Sequence, residues 1–135
     1  MIIGSVNVFA ATASVSGTLN YRMLDGSANG KYYTIGSGKK VSISGTVKKT
    51  GYNSSEVEKN AYGQLVGTQT TYINLYELNS SGKGVKVCGD TVKVSSGSQS
   101  YSASGTTAYG NKKYMYIYKP MNDGYDLRIE GSITY

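Results

Sequence analysis

The sequence predicts an all-β protein: a single antiparallel β-sandwich of jelly-roll or immunoglobulin-like type, with about eight strands and no substantial helix. Three observations carry that expectation. Apolar and polar residues alternate with period two in several separate stretches. Turn chemistry built on Gly, Ser, Asn-Gly and Asp-Gly recurs about every ten residues. The composition favours pleated surfaces and turns over helices, with 14 Tyr and 18 Gly among 135 residues, one Pro, one Phe and no Trp. The length is that of one domain, enough to remove roughly two-thirds of the unfolded surface from water.

Residues 1–13 read as the remnant of a secretion signal. Val8-x-Ala10 and Ala11-x-Ala13 place small residues in a cleavage-site arrangement. The segment lacks a basic start and its apolar run is short, so the alternative is a first strand. The domain proper is expected over 14–135, in a bacterial protein secreted or held at the cell surface. No run approaches the ~20 apolar residues of a transmembrane helix.

Ser14 to Met23 alternates, with Val15, Gly17, Leu19, Tyr21 and Met23 expected on one face. Leu24 to Gly30 is a turn cluster, Lys31 to Ile35 a short strand, and Lys39 to Lys49 a further strand. Thr50 to Gly67 breaks the alternation and reads as a long loop, with one possible helical turn capped by Ser54 or Ser55. Thr70 to Leu78 is a strand. Val85 to Cys88 and Thr91 to Val94 read as two short strands about Gly89-Asp90, and Ser95 to Ser104 as an edge strand. Lys112 to Tyr135 reads as a closing hairpin around Pro120 to Gly124. Asn122 to Asp126 groups oxygen ligands closely, but the spacing is that of a turn and not of a calcium loop.

A five-residue pattern recurs at Val15–Leu19, Ile43–Val47 and Ile129–Ile133: aliphatic, polar, Gly, hydroxyl, aliphatic. Glycine falls on the apolar face each time. Such a gap destabilises a strand unless something packs over it. The three strands are therefore expected in one sheet, with Tyr33, or a tyrosine from the strands around Tyr72 and Tyr101, filling the gaps from the facing sheet.

The chemistry of catalysis is sparse. There is no His, hence no Ser-His-Asp or Cys-His pair. The single cysteine, Cys88, excludes an intramolecular disulfide and any CxxC metal site. It is expected half-buried at a strand end. Eight carboxylates are scattered, several in turn signals. No enzyme, no cofactor and no metal is expected. The net charge of +6 attracts polyanions. Only Arg22 and Arg128 offer the bidentate contacts that nucleic-acid readers favour, so no nucleic acid is expected.

The constellation with functional content is aromatic. If Met115, Ile117, Ile73 and Leu75 face the core, Tyr114, Tyr116, Tyr118, Tyr72 and Tyr76 turn outward. Should the two strands pair, these five tyrosines form a platform edged by Lys113 and Lys119. A flat ring with a polar tip suits stacking on sugars or burial in a protein interface. The expected function is a non-catalytic extracellular binding module for a glycan or cell-wall polymer. The alternative is an adhesin-like or self-associating domain that binds another protein. A third reading is a β-rich toxin in which Val92 to Thr107 inserts as an amphipathic hairpin.

Overall fold

The computed structural model describes residues 11–52, 61–62, 70–94 and 97–135. Of residues 1–13, read as the remnant of a secretion signal, residues 1–10 lie outside them, as does most of the loop expected at Thr50 to Gly67, while Thr12 and Ala13 belong to the first strand. The described residues form nine strands and no helix. They are β1 (Thr12–Leu19), β2 (Met23–Asp25), β3 (Tyr33–Thr34), β4 (Lys40–Tyr52), β5 (Thr71–Leu78), β6 (Gly84–Val92), β7 (Ser98–Thr106), β8 (Lys112–Tyr118) and β9 (Tyr125–Thr134). Two antiparallel sheets face each other. One has the order β1-β9-β4-β7. The other has β2-β8-β5-β6, with β3 sharing the edge of β8 beside β2.

The core is one apolar layer between the sheets. Val15, Leu19, Ile43, Val47, Ile129 and Ile133 meet Ile73, Leu75, Met115 and Ile117 across it. The alternating positions of each strand leave the other side chains on the two outer faces. Hydroxyl residues take the outer side of the first sheet and aromatic residues that of the second.

Several strand boundaries differ from expectation, each because the chain changes sheet. Ser14 to Met23 is not one strand. It breaks after Leu19, and Met23 opens β2 in the opposite sheet. Tyr21 and Met23, expected to share the face of Leu19, are 45% and 55% exposed. Lys112 to Tyr135 is not a hairpin: β8 and β9 belong to different sheets, and the segment between them crosses the end of the sandwich. The crossing is held by a buried ion pair, with Lys119 Nζ 2.6 Å from Asp123 Oδ1. Asn122 Oδ1 accepts from the Gly124 N–H, and Gly124 has φ 87°, where glycine is favoured. Asn122 to Asp126 is thus a turn whose Asp123 carboxylate is already neutralised. Val92 to Thr107 is likewise no hairpin, since β6 pairs with β5 and β7 with β4. The inserting-hairpin reading loses its structural basis there.

Gly89-Asp90 is strand, not turn, and β6 runs unbroken through it with one bulge. Asp90 instead reaches across the sandwich edge. Its Oδ2 accepts from the Ser102 N–H at 2.9 Å, occupying a donor on the outermost strand β7. Cys88 lies inside β6 and is 6% exposed, more buried than a strand end would leave it. Burial raises its thiol from 9.0 to about 11.

The glycine pattern does mark neighbouring strands of one sheet, β1, β9 and β4. The filling differs from expectation. Leu24 of the opposite sheet covers Gly17, its Cδ2 lying 2.5 Å from where a Cβ would stand. Tyr101 covers both Gly45 and Gly131, but it comes from β7 in the same sheet. Its ring lies over Gly45 and Gly131, and its hydroxyl donates to the Glu130 carbonyl at 3.2 Å. Tyr33 is turned to β1, donating to the Ser14 carbonyl at 3.0 Å.

Burial pushes the Tyr101 phenol from 10.0 up to about 12. The folded state therefore holds this proton more tightly than the unfolded chain. Stability is fully present below about pH 10 and falls as pH rises toward 12, by about 2–3 kcal/mol at most. Urea midpoints measured between pH 9 and pH 12 should decline steeply in the wild type. Tyr101→Phe, which removes the ionisable group at a cost of about 1 kcal/mol near neutrality, should flatten the decline. Equal slopes for the two proteins would assign it elsewhere.

Candidate functional site: the tyrosine face

β5 and β8 are the two central strands of the second sheet, and they pair in the register that the tyrosine spacing requires. Tyr72 lies opposite Tyr118, Asn74 opposite Tyr116, and Tyr76 opposite Tyr114. The alternate positions, Ile73, Leu75, Met115 and Ile117, are buried in the core. All five expected tyrosines therefore share the outer face.

Their rings form a continuous row. Tyr72 stacks on Tyr118 with centroids 4.9 Å apart and planes 23° from parallel. Tyr118 continues to Tyr116 at 5.3 Å, and Tyr116 to Tyr76 at 5.2 Å. Tyr76 meets Tyr114 at 5.8 Å, and Tyr32 closes the row edge-on to Tyr114 at 6.0 Å. Ring pairs at such separations stabilise one another by about 0.5–1.5 kcal/mol beyond area burial, so the row is a rigid surface. Burial raises the phenol pKa of Tyr76 and of Tyr114, helped at Tyr76 by the neighbouring rings Tyr118 and Tyr116 and at Tyr114 by the nearby Asp25 carboxylate and Tyr76.

The five positions are not equivalent. Tyr72, Tyr76, Tyr116 and Tyr118 are half-buried, with one side of each open, whereas Tyr114 is 5% exposed. Tyr114 lies across β5 and brings its hydroxyl to the surface of β6. A Cβ on Gly84 would stand 2.1 Å from that hydroxyl, so glycine is required there. Asn74 is held the same way. Its Nδ2 donates to the Tyr116 carbonyl at 3.2 Å, and its amide oxygen occupies the space above Gly89. Tyr114 and Asn74 thus form the floor, on which the other four rings stand.

Lys113 and Lys119 do not edge the platform. Both point to the core side of β8 and are fully buried. Lys113 pairs with Glu77 at 3.2 Å, as Lys119 does with Asp123. Period two explains the difference, since residues 113 and 119 share the parity of Met115 and Ile117. The cations at the rim are others. Lys112 lies with its Nζ 5.2 Å from the Tyr32 ring, and exposed Lys86 stands opposite Tyr76 on β6. Asp25 is the one carboxylate on this face among the described residues, and its Oδ1 already accepts from the backbone and hydroxyl of Ser27. Among the described residues no facing pair of carboxylates exists on it. A separate, partly open cavity of about 40 Å³ between the sheets, beside Val15, Leu24 and Tyr33, has room for a few waters. The open sheet face is the surface on offer.

Sequence reasoning missed Tyr32, which enters the row from a segment too short to show alternation. Alternation along Thr70 to Leu78 puts Asn74 on the side of Tyr72 and Tyr76, but gives it no role. Gly84, in the turn-forming run Asn79 to Gly84, and Gly89 carry only a turn signal in the sequence.

Comparisons with solved structures add the architecture's relatives. The chain is similar to a family 4 carbohydrate-binding module at 10% identity and TM-score 0.56, over 94% of this chain and 72% of the other. The likeness is one of fold. It extends to the CBM22-1 xylan-binding domain of Paenibacillus barcinonensis Xyn10C, at 11% identity and TM-score 0.51, over 93% of this chain and 81% of that one. A Clostridium thermocellum xylanase 10B structure, comprising CBM22-1 and GH10 modules with xylohexaose, matches 74% of this chain at 16% identity and TM-score 0.47. The chain spans 17% of that longer one. No family model matches the sequence, and no match was found among curated proteins.

Proposed function

We propose that this is a non-catalytic carbohydrate-binding module that holds a polysaccharide chain along its tyrosine face, outside the cell. The observation that carries the reading is the unbroken row of rings from Tyr72 to Tyr32 on an open, rigid sheet. A linear glycan presents successive apolar ring faces bordered by hydroxyls. Tyrosine matches both, with a flat apolar body and a hydroxyl tip. The sandwich shared with carbohydrate-binding modules supports the assignment, and xylan, bound by one of those neighbours, is the first ligand to try. Among the described residues the face offers no acid–base pair, which favours binding over hydrolysis.

Affinity electrophoresis in gels containing xylan or other soluble wall glycans tests this. Tyr116 stands mid-row, between Tyr76 and Tyr118. Tyr116→Ala should weaken binding about 30-fold, the effect of losing a central aromatic anchor worth about 2 kcal/mol. Tyr52→Ala, at an exposed ring on the opposite sheet, should bind as the wild type does. Retardation unchanged by Tyr116→Ala would remove the tyrosine face as the binding surface. If no glycan retards the protein and its size grows with concentration by light scattering, the row is a protein interface instead.

A further inference from the structure

The tyrosine row is flanked unequally. Within the second sheet, β2 lies on one side of it and β6 on the other. The β2 flank places Met23 beside Tyr118 and Asp25 beside Tyr116. The β6 flank places Thr91 beside Tyr72 and exposed Lys86 beside Tyr76. Lys93 follows just past the end of β6. Val92 and Val94 on either side of it are buried, so exposed Lys93 turns to the same side as Thr91. Lys112 closes the Tyr32 end, its Nζ 5.2 Å from that ring. Lys86 and Lys93 stand roughly 20 Å apart along the flank, by the rise of a strand.

These cations are not answered on the face. Among the described residues no carboxylate pairs with Lys86, Lys93 or Lys112. Asp25 is on the opposite flank and is held by Ser27. Lys113 and Lys119 are cancelled in the core by Glu77 and Asp123, so they add nothing to the net charge of +6. A sugar stacked flat on a ring points its substituents sideways, toward the flank and not the floor. An ammonium there offers a full charge and several donors. The charges are also sparse. A nucleic-acid strand carries a phosphate at every nucleotide and is answered by closely set cations. Here the lysines are far apart, Arg22 is bound to the Pro120 carbonyl, and Arg128 lies on the other sheet. Such spacing suits a chain charged only at intervals.

We infer that the glycan held on the tyrosine face is an acidic one: a polysaccharide with uronate side groups at intervals along a neutral backbone, whose carboxylates are drawn to Lys86 and Lys93. This rests on the reading of the row as a glycan platform. The rings hold the chain, and the β6 flank selects its charge.

Titration calorimetry with a glucuronoxylan, and with the same polymer after its carboxyl groups are reduced to alcohols, tests the inference, because only the charge differs. At about 0.01 M salt, where screening sets in only beyond about 30 Å, the wild type should bind the acidic polymer about 5-fold more tightly, the effect of a few exposed ion pairs. At about 1 M salt the preference should vanish. Lys86→Gln with Lys93→Gln should reduce it to about 2-fold or less. Lys48→Gln with Arg128→Gln removes as much charge from the outer face of the first sheet and should leave the preference as it is. Unchanged melting transitions are the control for folding. Equal affinity for the two polymers would overturn the inference and leave the platform standing. So would a preference that survives about 1 M salt, that the Lys86 and Lys93 variant keeps, or that both double variants lose alike. Dextran sulfate or a single-stranded oligonucleotide that binds as tightly as glucuronoxylan would assign the lysines to polyanions at large and overturn the uronate. Wild-type protein that binds neither polymer would overturn it outright. Binding of both polymers that Tyr116→Ala leaves unchanged would instead remove the platform, and the inference with it.

Discussion

Glu77→Ala should destabilise the protein by about 3–5 kcal/mol, the cost of leaving a buried charge without its partner. Glu77 is 2% exposed and Lys113 is fully buried. The carboxylate is saturated. It receives Lys113 Nζ at 3.2 Å, and the Ala108 N–H at 3.0 and 3.1 Å from its two oxygens, and Oε2 also accepts from the Tyr109 N–H at 3.3 Å. Lys113 in turn donates to the carbonyls of Tyr109 and Gly110. One acid thereby fastens the β7–β8 connection to the central strand β5. Because Glu77 and Lys113 are adjacent in sequence to Tyr76 and Tyr114, the loss should reach the tyrosine face. Urea denaturation should show the lowered midpoint, and glycan affinity measured well below it should fall with the fraction folded. Glu77→Gln retains shape and acceptor but not charge, and should lie between the two. A Glu77→Ala midpoint within about 0.5 kcal/mol of wild type, the usual range of a surface substitution, would show that the pair is replaceable.

Gly131→Ala should prevent folding of the first sheet or shift its pairing. A Cβ there would stand 2.1 Å from the Ser44 carbonyl oxygen and 2.9 Å from the Gly45 Cα, both backbone atoms of the paired strand. It would also stand 2.4 Å from the Tyr101 hydroxyl. A flexible side chain could retreat, but two β-strands in register cannot separate locally without losing ladder hydrogen bonds. Overpacking a close-packed core costs about 1–3 kcal/mol and more where backbone must move. The expected result is insoluble or molten protein, read by loss of near-ultraviolet dichroism. Tyr101→Phe combined with Gly131→Ala should not rescue it, since the backbone contacts remain. Gly17→Ala is the milder comparison, because the atom it meets is the end of the Leu24 side chain. Equal stability of the Gly17 and Gly131 variants would show that backbone proximity is not what requires glycine.

The site was legible to the extent that it follows from parity. Within a strand, alternation alone says that Tyr114, Tyr116 and Tyr118 oppose Met115 and Ile117, and that Tyr72 and Tyr76 oppose Ile73 and Leu75. Pairing β5 with β8 then brings the two sets together. Parity applied to Lys113 and Lys119 would have placed them inward as well. Their charge argued for the surface, and it was outweighed because Glu77 and Asp123 are buried beside them. The sinking of Tyr114 was not legible, for it depends on a glycine two strands away at Gly84.

By itself, the sequence determined the all-β class, the direction of side chains within each strand, the shared sheet of the three glycine-patterned strands and the tyrosine-bearing face. These follow from local rules: period two, turn chemistry and the tolerance of glycine. Only the tertiary structure decided which consecutive strands change sheet, as all but β2 to β3 and β5 to β6 do. A turn of the same composition can close a hairpin or cross between sheets. The choice depends on which long-range partners bury the most apolar surface, and no local pattern records it.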